Sequence, residues 1–253
     1  MGRFHRHDDG TVHTHDHDDA LHTHGDHSGY ATGTQRIDVL ESIFAENDVR
    51  AGYNREAFER NGIRALNLMS SPGSGKTTIL QATLDELAGE FAVGVIEGDI
   101  ATDLDAAKLG GRGAQISLLN TGNGFGGECH LDAPMVNRAL QGLDLAKLDL
   151  VIIENVGNLV CPAEFDVGEH AKAMVYSVTE GDDKPLKYPV MFRAVDAVLL
   201  NKIDLVPYLD VDVDAYIARV REVNPTATVL PVSARTGAGM SAWFGWLRRF
   251  VAG

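Results

Sequence analysis

Residues 70–78 read Ser-Ser-Pro-Gly-Ser-Gly-Lys-Thr-Thr and directly follow the apolar run Ala65-Leu66-Asn67-Leu68-Met69. This order is typical of a strand that leads into a phosphate-binding loop. Small residues let successive backbone N–H groups turn toward a phosphate. The helix expected to begin at Gly75 directs its positive end at the same anion. The chain is therefore predicted to bind a nucleotide.

Two side chains of this loop have specific predicted roles. Lys76 supplies a full positive charge for the outer phosphates, and the Thr77 hydroxyl suits a magnesium ion. The general pattern has glycine at the first position, where this chain has Ser70. The later positions are in register, so this departure does not change the prediction. The predicted nucleotide contacts from this loop are Ser71, Gly73, Ser74, Gly75, Lys76, Thr77 and Thr78.

Composition limits the remaining possibilities. A net charge of −14 over 253 residues argues against binding to nucleic acids or to an anionic membrane surface. No apolar stretch approaches the roughly 20 residues that span a bilayer, and the N-terminus has no apolar signal core. Because no export signal is evident, metal or redox chemistry explains the two cysteines better than a structural disulfide does. We expect a cytoplasmic protein.

Residues 1–34 differ in composition from the rest of the chain. Eight of the ten histidines lie there, interleaved with aspartate, threonine and glycine. Because almost no residue of this block can enter a core, we expect a disordered tail. Closely spaced neutral imidazoles chelate Ni²⁺ or Zn²⁺, so the tail is predicted to bind metal; a solvated leader without a role is the alternative. The predicted tail ligands are His5, His7, His13, His15, His17, His22, His24 and His27.

Residues 35–253 are predicted to form one P-loop domain, which opens with one or two amphipathic helices over residues 35–61. Beyond these, strand and helix patterns alternate. The predicted strands are 65–70, 92–97, 115–120, 149–154, 173–179, 196–201 and 227–232, and the predicted helices are 75–88, 103–110, 132–142, 187–194, 212–223 and 239–251. Several strands are apolar throughout, which means that both of their faces are covered. We therefore predict an α/β fold with a mostly parallel sheet and helices on both faces.

Residues 201–204, Asn-Lys-Ile-Asp, follow a predicted strand and indicate which base is bound. Asp204 can accept hydrogen bonds from the ring N–H and the exocyclic amine of guanine, whereas adenine offers no matching donors. Lys202 is expected to lie along the base plane and Asn201 to brace the loop. The pair Ser233-Ala234 follows the last predicted strand and resembles the second guanine loop of GTPases. GTP is therefore the predicted nucleotide.

Two acidic strand ends complete the predicted catalytic set, which comprises Lys76, Thr77, Asp99, Glu154 and Gly157. Asp99 is the predicted Mg²⁺ ligand, directly or through water, because this ion takes few carboxylates and keeps several waters. Glu154 is expected to order the same shell, and Gly157 to bind the γ-phosphate and move on hydrolysis. Asp103 fits either this shell or a helix cap. No arginine finger or positioning glutamine is evident, which predicts slow intrinsic turnover.

The cysteines flank the predicted nucleotide site. Cys129 is followed by His130 just before a predicted helix, and Cys161 comes seven residues after Glu154. Two thiolates and an imidazole suit Ni²⁺ or Zn²⁺. Since Cys161 is close in sequence to Gly157, the state of the nucleotide could alter the metal geometry. Two buried structural thiols beside an unrelated histidine are the alternative.

Together, the phosphate loop, Glu97-Gly98-Asp99, residues 122–130, residues 154–162 and residues 201–204 closely resemble the hydrogenase nickel-incorporation GTPases of the HypB type. The resemblance covers about residues 35–250. It implies a metal site formed by Cys129, His130 and Cys161 at the interface of a GTP-dependent homodimer. It also implies delivery of nickel to the large subunit of a NiFe-hydrogenase, together with a second nickel metallochaperone.

One departure from the family concerns nickel storage, and several rival functions stay open. Some members carry an N-terminal cysteine-rich nickel site, but this chain has no cysteine before Cys129, so the histidine tail would be its store. A urease nickel GTPase typically carries Cys-Pro-His, where this chain has Cys129-His130. A nickel-storage protein with structural GTP and an ATP-dependent small-molecule kinase are two further candidates. The kinase would not depend on Asp204.

Overall fold

The computed structural model describes residues 4–6, 12–14, 34–98, 109, 111–119 and 130–253. Strands Phe4–Arg6 (β1) and Val12–Thr14 (β2) pair antiparallel, with His5 opposite His13 in the register. Both strands fall within residues 1–34. The sequence-based prediction that this segment is a disordered metal-binding tail stays a prediction. Six predicted tail ligands lie outside the described residues, namely His7, His15, His17, His22, His24 and His27.

A single helix of 27 residues, Thr34–Arg60 (α1), occupies the segment in which one or two helices are predicted. Polar side chains hold the C-terminal part of this helix. The amide of Asn54 is fully buried and donates to the carbonyls of Ala133 and Val167 at 2.9 and 3.0 Å. Arg55 donates to both carboxylate oxygens of Asp166 at 2.8 and 2.7 Å. These contacts join α1 to two loops that are distant in sequence.

Seven strands form a sheet in which every pair is parallel, and their spatial order is β5-β4-β6-β3-β7-β8-β9. The strands are Arg64–Ser70 (β3), Val93–Glu97 (β4), Gln115–Leu118 (β5), Leu150–Gly157 (β6), Ala171–Ser177 (β7), Ala197–Asn201 (β8) and Thr228–Pro231 (β9). Strand β3 lies near the middle and leads into the phosphate loop. The predicted α/β fold with a parallel sheet is therefore confirmed.

The described helices after α1 lie between or after these strands in sequence. They are Lys76–Leu87 (α2), Ala133–Leu140 (α3), Cys161–Glu164 (α4), Lys184–Lys187 (α5), Pro189–Arg193 (α6), Val213–Val223 (α7) and Met240–Ala252 (α8). Short 3₁₀ segments cover Leu145–Lys147 and Ile203–Tyr208. None of the helices that the structure describes is long and apolar enough to cross a membrane.

Alternate residues of one strand enter different hydrophobic clusters, because side chains in a strand point to opposite faces. Leu66 and Leu68 of β3 pack with Trp243 of α8 in one cluster, whereas Ala65 packs with Phe58 of α1 in another. The helices therefore cover both faces of the sheet, as predicted. The carboxyl ends of the strands are left as the edge at which the polar motifs meet.

Several elements differ from the prediction. The helix predicted over 187–194 is α6, which covers only Pro189–Arg193, and α5 precedes it as a separate helix because Pro189 has no N–H to continue α5. Strand β6 continues to Gly157, so Glu154 lies within the strand and not at its end. The four-residue helix α4, which begins at Cys161, has no counterpart in the prediction. The helix predicted over 103–110 lies outside the described residues except for Leu109.

Candidate functional site

The phosphate loop has the backbone conformation that its glycines predict. Gly73 and Gly75 have φ values of 72° and 100°, in the left-handed region that side chains disfavour. Helix α2 begins directly after them, at Lys76. The loop encloses a cavity of about 250 Å³ lined by Ser70–Thr78 and Gly157. This concave surface at a helix N-terminus has the geometry of an anion site.

Lys76 and Glu154 form a buried ion pair beside this cavity. The Lys76 Nζ lies 2.9 Å from Oε1 of Glu154, and the two side chains are 4 % and 0 % exposed. The Thr77 hydroxyl donates to the same oxygen at 2.8 Å. The other carboxylate oxygen, Oε2, is buried and accepts no hydrogen bond from the described residues. A hydroxyl beside a carboxylate with a spare acceptor fits a hydrated Mg²⁺ ion.

The guanine motif is tied directly to the phosphate loop. The side-chain amide of Asn201 donates to the carbonyl of Ser74 at 2.8 Å and accepts from the N–H of Ala234 at 3.1 Å. Asn201 thus braces the loop as predicted from the sequence. Oδ1 of Asp204 accepts from the Ser233 hydroxyl at 2.6 Å, which orients the carboxylate. A cavity of about 180 Å³ lies here, lined by Gly75, Thr78, Asn201, Lys202, Asp204, Leu205, Ala234 and Arg235.

Lys202 makes a contact that the sequence did not predict. Among the described residues it is the only one besides glycine with a positive φ, 66°. Its Nζ donates to the carbonyl of Gly73 at 2.7 Å, so it crosses from the guanine motif to the phosphate loop. A backbone conformation of this kind costs about 1–2 kcal/mol for an ordinary residue. The contact with Gly73 helps to offset that cost.

We expect Gly75→Ala to destabilise the nucleotide-free protein more than Gly73→Ala does. Both positions have positive φ, which costs alanine about 1 kcal/mol. A Cβ at Gly75 would lie 2.5 Å from Nδ2 of Asn201, whereas a Cβ at Gly73 meets no atom within 4 Å. Urea unfolding should give a difference of about 1–3 kcal/mol between the variants. Equal losses would mean that Asn201 moves aside without cost.

Glu180 is a contact of the phosphate loop that sequence reasoning missed. It accepts a hydrogen bond from the Ser71 hydroxyl and another from the backbone N–H of Ser177, at 2.9 Å for the latter. Burial raises the pKa of Glu180, although these hydrogen bonds oppose the shift. An acidic residue in a turn gives little signal, because such residues are usually solvated. Its role depends on a partner more than a hundred positions away.

His130 and Cys161 approach the same short segment from different parts of the chain. The His130 ring stacks on Phe165 with 4.0 Å between the ring centroids. Phe165 directly follows α4, which begins at Cys161, and Nδ2 of Asn158 lies 3.6 Å from the Cys161 Sγ. The structure therefore brings two of the three predicted cysteine and histidine ligands to the two ends of one four-residue helix. Phe165 was not predicted to take part.

Several predicted site residues lie outside the described residues, and these are Asp99, Asp103 and Cys129. Their predicted roles stay predictions. Within the part of the chain that the structure describes, no three histidine, cysteine, aspartate or glutamate side chains form a metal-binding group. Gly157 lies against the phosphate loop, where its added Cβ would be 3.3 Å from the Pro72 Cα. It is therefore close to the predicted position of the γ-phosphate.

Comparison with known proteins agrees with this arrangement. Residues 64–231 match the profile of the CobW/HypB/UreG nucleotide-binding domain. The hydrogenase maturation factor HypB of Azotobacter chroococcum mcd 1 is 50 % identical over 223 residues, which cover 88 % of this chain and 72 % of the relative. The match therefore includes both the nucleotide motifs and the cysteine and histidine positions in the second half of the chain.

Two solved structures are similar as well. Hydrogenase maturation factor HypB from Archaeoglobus fulgidus superposes with a TM-score of 0.76 at 37 % identity. The matched region covers 82 % of this chain and 99 % of the Archaeoglobus fulgidus chain. HypB from Helicobacter pylori, solved in complex with nickel, gives a TM-score of 0.75 at 36 % identity. The matched region covers 82 % of this chain and 95 % of the Helicobacter pylori chain.

Proposed function

This chain belongs to the HypB family of hydrogenase maturation factors, within the CobW/HypB/UreG group, and on that basis we propose that it is a GTP-hydrolysing nickel metallochaperone. It stores Ni²⁺ and delivers the ion for maturation of a NiFe-hydrogenase. Intrinsic GTP turnover is slow, because no arginine finger was identified in the sequence.

One observation carries this proposal. Strand β6 and helix α4 are joined by only three residues, and they connect the nucleotide residues to a predicted metal ligand. Glu154 contacts Lys76 and Thr77 at one end of this stretch, and Cys161 begins α4 at the other. A change at the phosphates therefore reaches the thiolate over seven residues. Nickel release can then depend on which nucleotide is bound.

The proposed reaction uses residues at the carboxyl edge of the sheet. Lys76 and the backbone N–H groups of the phosphate loop bind the β- and γ-phosphates, and Asp204 selects guanine. Thr77 would hold magnesium with Asp99, while Glu154 orders its water shell. The bound ion supplies charge compensation at the outer phosphates. Gly157 binds the γ-phosphate through its N–H and changes position after hydrolysis.

The metal is the cargo of this cycle. Cys129, His130 and Cys161 form the site in which Ni²⁺ or Zn²⁺ is held, since thiolates and imidazole suit both ions. The histidine tail is the store, and its affinity falls as the pH drops through about 6.5, where imidazoles become protonated.

Partners follow from the family and from symmetry. We propose a homodimer that forms with GTP, in which the cysteine and histidine sites of two copies lie near a two-fold axis. A second nickel metallochaperone and the hydrogenase large subunit are the proposed partners, in the cytoplasm. Nucleic acid and membranes are not expected partners, given the net charge of −14.

Replacement of Cys161 by alanine tests the metal site. The chain has only two cysteines, so thiolate-to-nickel absorption reports the proposed site and not the tail. We expect the variant to lose most of this absorption and to bind nickel there about 100-fold or more weakly, because a direct ligand is lost. The experiment compares absorption and bound nickel in the GDP and GTP-analogue forms.

Deletion of residues 1–33 is the matched control. It should remove the nickel ions held by the tail and leave the thiolate absorption unchanged. Unchanged absorption in Cys161→Ala would contradict the proposed ligand. Loss of hydrogenase maturation in Lys76→Ala with an intact tail favours the GTPase, whereas dependence on the tail alone favours a storage protein. Rescue of urease instead of hydrogenase would favour a urease-type nickel GTPase.

A further inference from the structure

Strand β6 carries two consecutive polar side chains inside the fold. Glu154 and Asn155 are both 0 % exposed, and they point to opposite faces of the sheet. Glu154 contacts Lys76 and Thr77 of the nucleotide site. The function proposed above gives a role to Glu154 but none to Asn155. A buried asparagine needs partners for its amide, and those partners indicate its role.

The side chain of Asn155 has partners on β3, on β6 itself and directly beside His130. Its Oδ1 accepts from the backbone N–H of Leu131 at 3.0 Å and from that of Val156 at 2.9 Å. Its Nδ2 donates to Oδ1 of Asn67 at 3.2 Å, and Asn67 is also 0 % exposed. These bonds fix the Asn155 side chain in one orientation. Movement of its backbone therefore moves the acceptor that holds Leu131.

Leu131 directly follows His130, so whatever holds Leu131 also limits where His130 can lie. Its side chain is 0 % exposed and packs closely on Gly98, where an added Cβ would lie 2.4 Å from the Leu131 Cδ1. Gly98 in turn precedes Asp99, the predicted magnesium ligand. Leu131 thus contacts Gly98, which follows β4, by packing, and Asn155 of β6 by a hydrogen bond.

Nucleotide binding must rearrange the other side of this strand. Lys76 and Thr77 both use Oε1 of Glu154 as their acceptor, whereas phosphate and magnesium require the same two groups. A fully buried carboxylate that loses both donors cannot stay in place without new partners. A shift or twist of the Glu154 backbone in response would also move the peptide bond to Asn155. Two buried neighbours in one strand cannot respond independently.

We propose that Asn155 is the positioning residue that transmits the nucleotide state from Glu154 to His130. The hydrogen bond from Leu131 to Asn155 is the connection: it is short in one nucleotide state and lengthened in the other. This inference rests on the proposed nickel function and names the regulation of that same site. By linkage, nickel bound at His130 changes nucleotide affinity by the same factor as the nucleotide changes nickel affinity.

The test uses the full chain, with free nickel fixed by a chelator and thiolate-to-nickel absorption as the readout. For the unaltered protein we expect the nickel affinities of the GDP and GTP-analogue forms to differ about 5-fold or more. In Asn155→Ala the ratio should fall below about 2-fold, while GDP affinity changes little. A purely structural role would lower both nickel affinities together and leave their ratio unchanged.

Asn224→Ala is the matched control. Asn224 is another buried asparagine, which donates to the carbonyls of Phe192 and Val195 at 2.9 and 2.8 Å, and it does not contact the site. The Asn224→Ala substitution should lower the stability of the protein but keep the ratio of nickel affinities between the GDP and GTP-analogue forms. If Asn155→Ala keeps the same ratio of nickel affinities between its two nucleotide forms as the unaltered protein, the inference is overturned but the proposed function is not. Equal affinities in the unaltered protein overturn the proposed coupling itself.

Hydrogen exchange at the Leu131 amide tests the inference without a variant, in case Asn155→Ala does not fold. In the unaltered, metal-free protein its exchange rate should differ about 5-fold or more between the two nucleotide forms. The amide of Ala227, which donates to Asn224 at 3.1 Å, serves as the reference. Equal rates at Leu131, beside a clear affinity ratio, would overturn the inference, because the coupling would then take another route.

Discussion

Replacement of Asp204 by asparagine should weaken GTP binding by about 10³-fold or more while the fold stays intact. Guanine presents two donors, the ring N–H and the amine, and an asparagine places an N–H where one acceptor is needed. The Ser233 hydroxyl donates to Oδ1 of Asp204 at 2.6 Å and so fixes which edge of the side chain faces the base. A polar group that loses its hydrogen-bond partner inside the site is left unsatisfied, which is costly, whereas in water a solvent molecule replaces the partner.

Xanthosine triphosphate makes this prediction specific to the base. Xanthine has a carbonyl where guanine has the amine, and the asparagine amide can donate to that oxygen. We therefore expect the preference for GTP over XTP to reverse, as measured by competition against a fluorescent nucleotide. Asp214→Asn makes the same chemical change on an exposed carboxylate of α7 and should alter neither affinity. An unchanged preference in Asp204→Asn would favour the small-molecule kinase.

The nucleotide side of the site could be predicted because its signals are local. The phosphate loop and the guanine tetrapeptide each follow an apolar strand, and parallel strands bring their carboxyl ends to one edge. Asn201 bracing the phosphate loop follows from that edge together with the motif. The contact from Lys202 to the Gly73 carbonyl does not follow, since it depends on a positive φ that only the folded chain reveals.

The connections between the nucleotide and metal residues could not be predicted in the same way. Asn155 binds the amide of Leu131, 24 positions away, and His130 stacks on Phe165, which is separated from it in sequence by α3, β6 and α4. No periodicity or motif encodes such pairings. One signal was nevertheless present: Asn67 interrupts the apolar run of a predicted strand, and a buried amide requires a partner.

Replacement of Lys76 by alanine should have two separable effects. GTP turnover should fall by about 10²- to 10³-fold, as when an electrostatic contact to the transition state is lost. The nucleotide-free protein should also lose about 3 kcal/mol of unfolding free energy, because Glu154 would stay fully buried without its cation. Thr77 still donates to Glu154 at 2.8 Å, which limits the loss. Urea unfolding without nucleotide and GTP hydrolysis measure the two effects.

Glu154→Gln separates these effects when it is combined with Lys76→Ala. Glutamine keeps the shape of Glu154 and removes its buried charge, so the double variant should recover most of the lost stability. It should not recover turnover, because the lysine acts on phosphate and not through the carboxylate. If the double variant stays as unstable as Lys76→Ala, the loss comes from packing around the lysine stem. A non-additive free energy of about 1–3 kcal/mol in the cycle would instead measure the coupling of the ion pair that nucleotide binding must break.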